Sequence, residues 1–380
     1  MDTDLRSPRV WVLSAVVLAA VSLSAAICPR EARAGIPAEC NPACSTSTDR
    51  PAVRRHSSTN SNIAVRLEDT WYEVNTRRIP YRGSSDIHAA AIRTIQPGAS
   101  VLGSRPDGTT VEQLQSELVQ RPTCVYVHGY NNDELDARRA AVEVYQRMIG
   151  CGVQGPMNFI AWSWPSDRDE FILRDAPKKG CRADFESELF GDFLRLDTAG
   201  QALGIISYSL GARVVSGGLQ HRSLEGSAHA GSLEHARVIL LAGAIDRRWL
   251  SPSGRYSLAT QSVDEFVNMI NHRDPVLKKY HLVARDRSAE AAGTYGIHVP
   301  AYASDTVHQW DISSQVGTTH KLVKYLDSPL VRSKMRSLLQ PPVVPADAAV
   351  SPLKTEQAAH APELKDPRAD RLPELTPHSG

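Results

Sequence analysis

From about residue 62 to residue 340 the chain alternates two kinds of apolar pattern. Short apolar runs that stop at small or polar residues read as buried strands. Stretches whose apolar residues recur every three or four positions read as helices laid against them. The candidate strands are Thr70 to Asn75, Thr123 to Val127, Asn158 to Trp162, Gly204 to Tyr208, Val238 to Asp246, Phe266 to Ile270 and Val307 to Ile312. Between them, Leu135, Val142, Tyr145 and Ile149 share one helix face, capped by Asn132 or Asp133 and ended by Gly150 and Gly152. Phe185, Leu189, Phe193 and Leu196 mark a second helix, closed by Gly200. Ser328 and Pro329 suit the cap and first turn of a last helix carrying Leu330, Met335, Leu338 and Leu339. Strands alternating with helices predict an α/β fold with a mostly parallel, doubly wound sheet and helices on both faces. Residues 62–122, which mix strand candidates such as Thr70 to Asn75 with Gly and Pro turns, read as its antiparallel edge. The charged stretch from Pro165 to Cys181 reads as an irregular loop beyond a strand's C-terminal end, where loops border the pocket of an open α/β sheet.

Two strand ends carry candidate chemistry. In the run Gly204 to Val215 an apolar strand passes abruptly into a helical pattern through Ser207-Tyr208-Ser209-Leu210-Gly211. A serine on such a turn is held in a strained conformation with its hydroxyl exposed, and the residues two before and two after it must be small. Ser207 and Gly211 are small, so Ser209 is the candidate nucleophile. The second strand end is Thr123 to Val127 followed by His128-Gly129-Tyr130-Asn131-Asn132. An oxyanion hole pairs an amide from such a loop with the amide after the nucleophile, which assigns the backbone N–H groups of Tyr130 and Leu210. His128 and Gly129 then shape the loop.

The His-Gly-Tyr-Asn-Asn strand end, the Trp162-Ser163-Trp164-Pro165-Ser166 segment and the Ser-Tyr-Ser-Leu-Gly-Ala-Arg-Val turn occur in this order. Over roughly residues 65 to 340 the chain resembles a bacterial family of α/β-hydrolase-like proteins of unassigned function. The resemblance implies the α/β-hydrolase fold. That family usually has histidine at the position of Tyr208 and alanine or glycine at that of Ser207, so the turn is a variant.

A serine hydroxyl needs a histidine base, and the base needs a carboxylate to orient it. In this fold the chain order is serine, acid, histidine. Asp274 follows the strand ending at Ile270, and Asp246 ends the strand before it. Asp274 is favoured because the acid usually follows the next-to-last strand, and because the resembling family has a similar Asp-x-x-Leu run, matched here by Asp274 and Leu277. Asp246 would then cap the following turn. His320 follows the last strand across a short loop and is the expected base, whereas His298 and His308 read as surface or packed histidines. In the resembling family, too, a histidine precedes a last helix with a Ser-Pro start.

Composition changes this picture only at the ends. A 380-residue chain of net charge +1 with interspersed charges suggests one large domain and no nucleic-acid partner. Arg6 and Arg9, the apolar run from Val10 to Ile27 and Ala32-Arg33-Ala34 read as a signal peptide over residues 1–34, with an uncleaved N-terminal membrane anchor as the alternative. Residues 35–60 read as a flexible leader, 61–340 as the hydrolase domain and 341–380 as a disordered tail. The expected location is outside the cytoplasm, periplasmic or extracellular. Export permits disulfides, and a Cys151–Cys181 bond is expected because both border helices around one strand. Cys124, inside a strand, reads as a buried thiol, and no Cys or His spacing matches a zinc site.

These residues suggest a serine hydrolase of the esterase, lipase or thioesterase kind, using Ser209, Asp274 and His320 on a small-molecule or lipid acyl substrate, with no metal or organic cofactor. The alternatives are an acyltransferase and a non-catalytic binding or scaffold protein on the same fold.

Overall fold

The computed structural model describes residues 65–340 except 82–85, 96–100, 102–107, 170–171, 197, 225–234 and 299–304. The expected signal or anchor over 1–34, the leader with Cys40 and Cys44, and the tail over 341–380 lie outside the described residues. Among the described residues no helix is long and apolar enough to cross a membrane.

The strands are β1 (Thr70–Asn75), β2 (Ala91–Ile95), β3 (Thr123–Val127), β4 (Asn158–Ser163), β5 (Leu203–Tyr208), β6 (Ala236–Leu241), β7 (Glu265–Ile270) and β8 (Val307–Asp311). The helices are α1 (Val111–Leu118), α2 (Glu134–Gly150), α3 (Ile172–Phe193), α4 (Gly211–Leu224), α5 (Tyr280–Ala284), α6 (Ala292–Tyr295), α7 (Ser313–Val316), α8 (Leu322–Leu326) and α9 (Pro329–Ser337). All eight strands form one sheet in the order β2-β1-β4-β3-β5-β6-β7-β8. Every neighbouring pair is parallel except β1 with β2. This is the α/β-hydrolase fold.

The sheet has a packed layer on each face, which is why β3 and β4 are buried at every position. Val125, Val127, Ile205 and Val238 join one core with apolar residues of α1, α3 and α4. Cys124, Tyr126, Ile206 and Ile239 join the other, with residues of α2, α8 and α9. The chain reverses direction across the sheet at β3, with β4 on one side and β5 on the other. In open α/β sheets such a switch point leaves a crevice at the strands' C-terminal ends.

Four expectations require correction. Strand β1 is not at the sheet's edge: it runs parallel to β4, and only β2, beyond it, is antiparallel. Leu135 shares the helical phase of Val142 and Tyr145, but it sits in the first turn of α2 beside Arg77 and Asp167 and is 39% exposed. The charged stretch after Pro165 is not irregular throughout, since α3 begins at Ile172 and runs through Pro177. Its apolar face of Ala183, Phe185, Leu189, Phe190 and Phe193 packs in one core, and Asp184 is bonded at 2.5 Å to Arg213 of α4. Within the charged stretch itself, Asp175 accepts from the Tyr130 hydroxyl at 2.7 Å and Gly180 packs against the Arg213 guanidinium. Lastly, no bond joins Cys151 to Cys181. Cys151 packs in the core beneath α2, whereas Cys181 lies on α3, whose apolar face packs in the opposite core. Two helices that flank one strand in sequence have covered opposite faces of the sheet.

Candidate active site

Strands β3 and β5 are neighbours, with Val127 opposite Ser207, so their C-terminal ends emerge side by side. Ser209 follows the end of β5 at φ 52°, a left-handed conformation that L-residues seldom adopt. Its neighbours hold it there. The Ser209 N–H donates to the Leu241 carbonyl at 2.9 Å, and its own carbonyl accepts from Ala212 and Ala244 at 3.1 and 2.9 Å. Helix α4 starts so close to β3 that a Cβ at Gly211 would lie 2.5 Å from the Val127 carbonyl oxygen. A Cβ at Gly129 would likewise lie 2.8 Å from that of Ser209. Only glycine fits at either position. Ser207 is fully buried, and its hydroxyl has no hydrogen-bond partner among the described residues.

The loop after β3 is braced from below. The Trp164 amide donates to His128 Nε2 at 3.2 Å, which leaves the proton on Nδ1 to bond the Gly129 carbonyl at 2.9 Å. The Trp164 indole N–H donates to the His128 carbonyl at 2.8 Å. Burial, with the Arg77 guanidinium adding to it, lowers the His128 imidazole to about 3, so the ring is neutral and structural. Arg77 donates to the Asn132 carbonyl at 3.1 Å, to the Ser163 hydroxyl at 2.9 Å and to Asp167 at 2.6 Å. The amides of Tyr130 and Leu210 donate to no protein group among the described residues. Both residues line the same cavity as Ser209.

The candidate acid and base follow the strands at the other end of the sheet. Asp274 lies beyond β7 and His320 beyond β8. His320 Nδ1 is 2.7 Å from Asp274 Oδ2, and His320 Nε2 is 2.9 Å from Ser209 Oγ. Asp274 is fully buried. Its second oxygen accepts from the Val276 and Leu277 amides at 2.9 and 3.1 Å, and Tyr325 donates to Oδ2 at 2.6 Å. Burial would raise the carboxyl, but the bonds from His320, Tyr325 and the Leu277 amide hold it below its ordinary value. Tyr208 fixes the base from behind: its hydroxyl donates to the His320 carbonyl, and its ring lies 5.3 Å from the imidazole.

The other candidates are elsewhere. Asp246 lies past β6, where its Oδ1 accepts from the Arg248 amide at 2.9 Å and its carboxylate pairs with that residue's guanidinium. It caps a turn. His298 is exposed, and His308 lies on β8 with its Nε2 4.0 Å from Glu265 of β7. The sequence reading missed Arg77, Asn271 and Tyr325. Asn271 donates to the Gly317 carbonyl at 3.0 Å, tying the Asp274 turn to the loop that carries His320. An asparagine three residues before the acid and a tyrosine five after the base were signals available in principle.

An apolar cavity of about 60 Å³ opens at Ser209, walled by Leu210, Ala176, Ala244, Leu277, Tyr280 and Val283. Ala176 belongs to α3, so the charged stretch after Pro165 does reach the pocket. Behind it the Tyr130 hydroxyl donates to the buried Asp175 at 2.7 Å.

No protein family and no curated protein matches the chain. Among solved structures, esterase B from Lactobacillus rhamnosis with a tributyrin phosphonate aligns with 72% of this chain and 85% of its own, at 14% identity and a TM-score of 0.30. An esterase from Pyrobaculum calidifontis aligns with 58% of this chain and 75% of its own, at 10% identity and a TM-score of 0.27. Likenesses this distant add nothing to the strand order, on which the fold assignment rests.

Proposed function

We propose that the protein is a serine hydrolase acting on a carboxylic ester or a related acyl substrate. The observation that carries this reading is the continuous relay from Asp274 through His320 to Ser209, with steps of 2.7 and 2.9 Å, beside an apolar cavity. Ser209 Oγ attacks the acyl carbonyl while His320 Nε2 takes its proton, and the Tyr130 and Leu210 amides receive the oxyanion. His320 returns the proton to the leaving group, leaving an acyl-enzyme on Ser209. Water, deprotonated by His320, then releases the acid. Asp274 keeps its charge throughout and stabilises the imidazolium.

A fluorophosphonate probe and nitrophenyl esters of increasing chain length test this directly. The intact protein should be labelled and should hydrolyse at least the shorter esters, and Ser209→Ala should do neither. An unlabelled, inactive wild type would sink the reading. The order of basic, apolar and small residues over 1–34 supports export with a mature chain starting near Gly35. N-terminal sequencing of exported protein checks it, and a retained Met1 would make the segment an anchor.

A further inference from the structure

Between Pro275 and Arg285 the chain presents two unlike faces. Leu277 and Tyr280 are buried and, with Val276 and Val283, wall the cavity at Ser209. On the outer face Lys278, Lys279, Leu282 and Arg285 are exposed, Leu282 to 40%, while Val276 at the rim is 51% exposed. Lys278 and Lys279 close a 3-10 turn (Leu277–Lys279) that runs into α5, and Arg285 ends α5 in a left-handed conformation at φ 53°, so the three cations flank Leu282 along a short exposed stretch. None of these three cations forms an ion pair among the described residues, and the adjacent carboxylate, Asp286, bonds Arg248 at 2.9 Å instead.

Each half of this arrangement is unremarkable alone. Together they are selective. A soluble anion would engage the cations but leave Leu282 and Val276 in water, and an apolar protein partner would leave three cations uncompensated. A lipid–water interface with negative headgroups satisfies both, because apolar side chains reach the acyl boundary while lysine and arginine stay among the phosphates.

We propose that this face docks on an anionic lipid surface and sets the cavity mouth against it. Acyl esters dissolved in the bilayer are then the substrate class of Ser209, a step that rests on the hydrolase reading, whereas the docking does not. Because α5 is only five residues long, insertion is shallow and charge dominates the attraction. Each lysine or arginine contributes about fivefold in partitioning.

Hydrogen exchange on the full chain tests the docking segment by segment, so that any binding through residues 1–34 is seen separately. With vesicles of phosphatidylcholine and phosphatidylglycerol, the amides of residues 276–285 should gain protection that is lost at high salt. Phosphatidylcholine alone should give none. Lys278→Gln should raise the lipid concentration for half-maximal protection about fivefold, and Lys278→Gln with Lys279→Gln about 25-fold. Leu282→Asp, which removes an apolar contact and adds a negative charge, should weaken it more than Lys278→Gln does, with the circular dichroism spectrum unchanged. No protection on anionic vesicles, or equal protection on neutral ones, overturns the proposal. Equal protection by soluble polyphosphate overturns it too, and assigns the cations to a soluble anionic ligand. Protection without fluorophosphonate labelling of Ser209 would end the hydrolase reading and leave the docking standing, and labelling without protection would do the reverse.

Discussion

Two aspartates lie beyond the ends of neighbouring strands of the same sheet and meet different fates. Asp246 follows β6 and Asp274 follows β7, and both are almost fully buried. Burial therefore does not distinguish them; their partners do. Asp246 is satisfied two residues away, by the amide and guanidinium of Arg248. Asp274 uses one oxygen for local amides and offers the other to His320 and Tyr325, 46 and 51 residues away. A carboxylate satisfied locally shapes a turn. One left with a free oxygen can organise a distant base.

Exchanging each carboxylate for an amide is the sharpest test of that difference. Asp274→Asn should keep the fold but lower kcat by about 10⁴, since an amide neither stabilises the imidazolium nor holds the reactive tautomer. If the ester assay shows little change, the relay does not operate. Next in size is Tyr325→Phe, which removes one donor to a charged acceptor. A loss of about 1.5–3 kcal/mol in support of Asp274 predicts a roughly 10- to 150-fold fall in kcat with KM little changed. Asp246→Asn should leave turnover within about threefold and cost about 1 kcal/mol in urea unfolding, the scale of an ion pair whose arginine is half exposed. A large loss of turnover in that variant, with Asp274→Asn mild, would reverse the two assignments.

The smallest effect is on stability against pH. Asp274 is held below the ordinary carboxylate value in the fold, while its unfolded value is about 3.9. Its contribution is therefore complete above about pH 4 and is lost as pH falls through the lower folded value. The stability gap between wild type and Asp274→Asn should narrow as unfolding is followed to acid below about pH 4, and a gap that is constant with pH would contradict the shift.

The sequence by itself determined what depends on local geometry and apolar pattern. The strand-to-helix turn at Ser209 is legible from small residues between two apolar periods, whereas the close approaches that demand glycine at positions 129 and 211 are set by the pairing of β3 with β5. The mostly parallel sheet is legible for the same reason, from strand runs alternating with helical periods. Contacts across long stretches of chain were decided only by the tertiary structure. Which face of the sheet each helix covers separated Cys151 from Cys181, a fact no spacing records. The charged stretch from Pro165 to Cys181 read as a loop, yet α3 starts within it at Ile172, where Asp175 is bonded to the distant Tyr130. The bracing of the site by Tyr208, Tyr325, Asn271 and Arg77 was hidden likewise. A hydrogen bond between side chains dozens of residues apart leaves no periodic trace in the chain, and only the folded sheet sets its length.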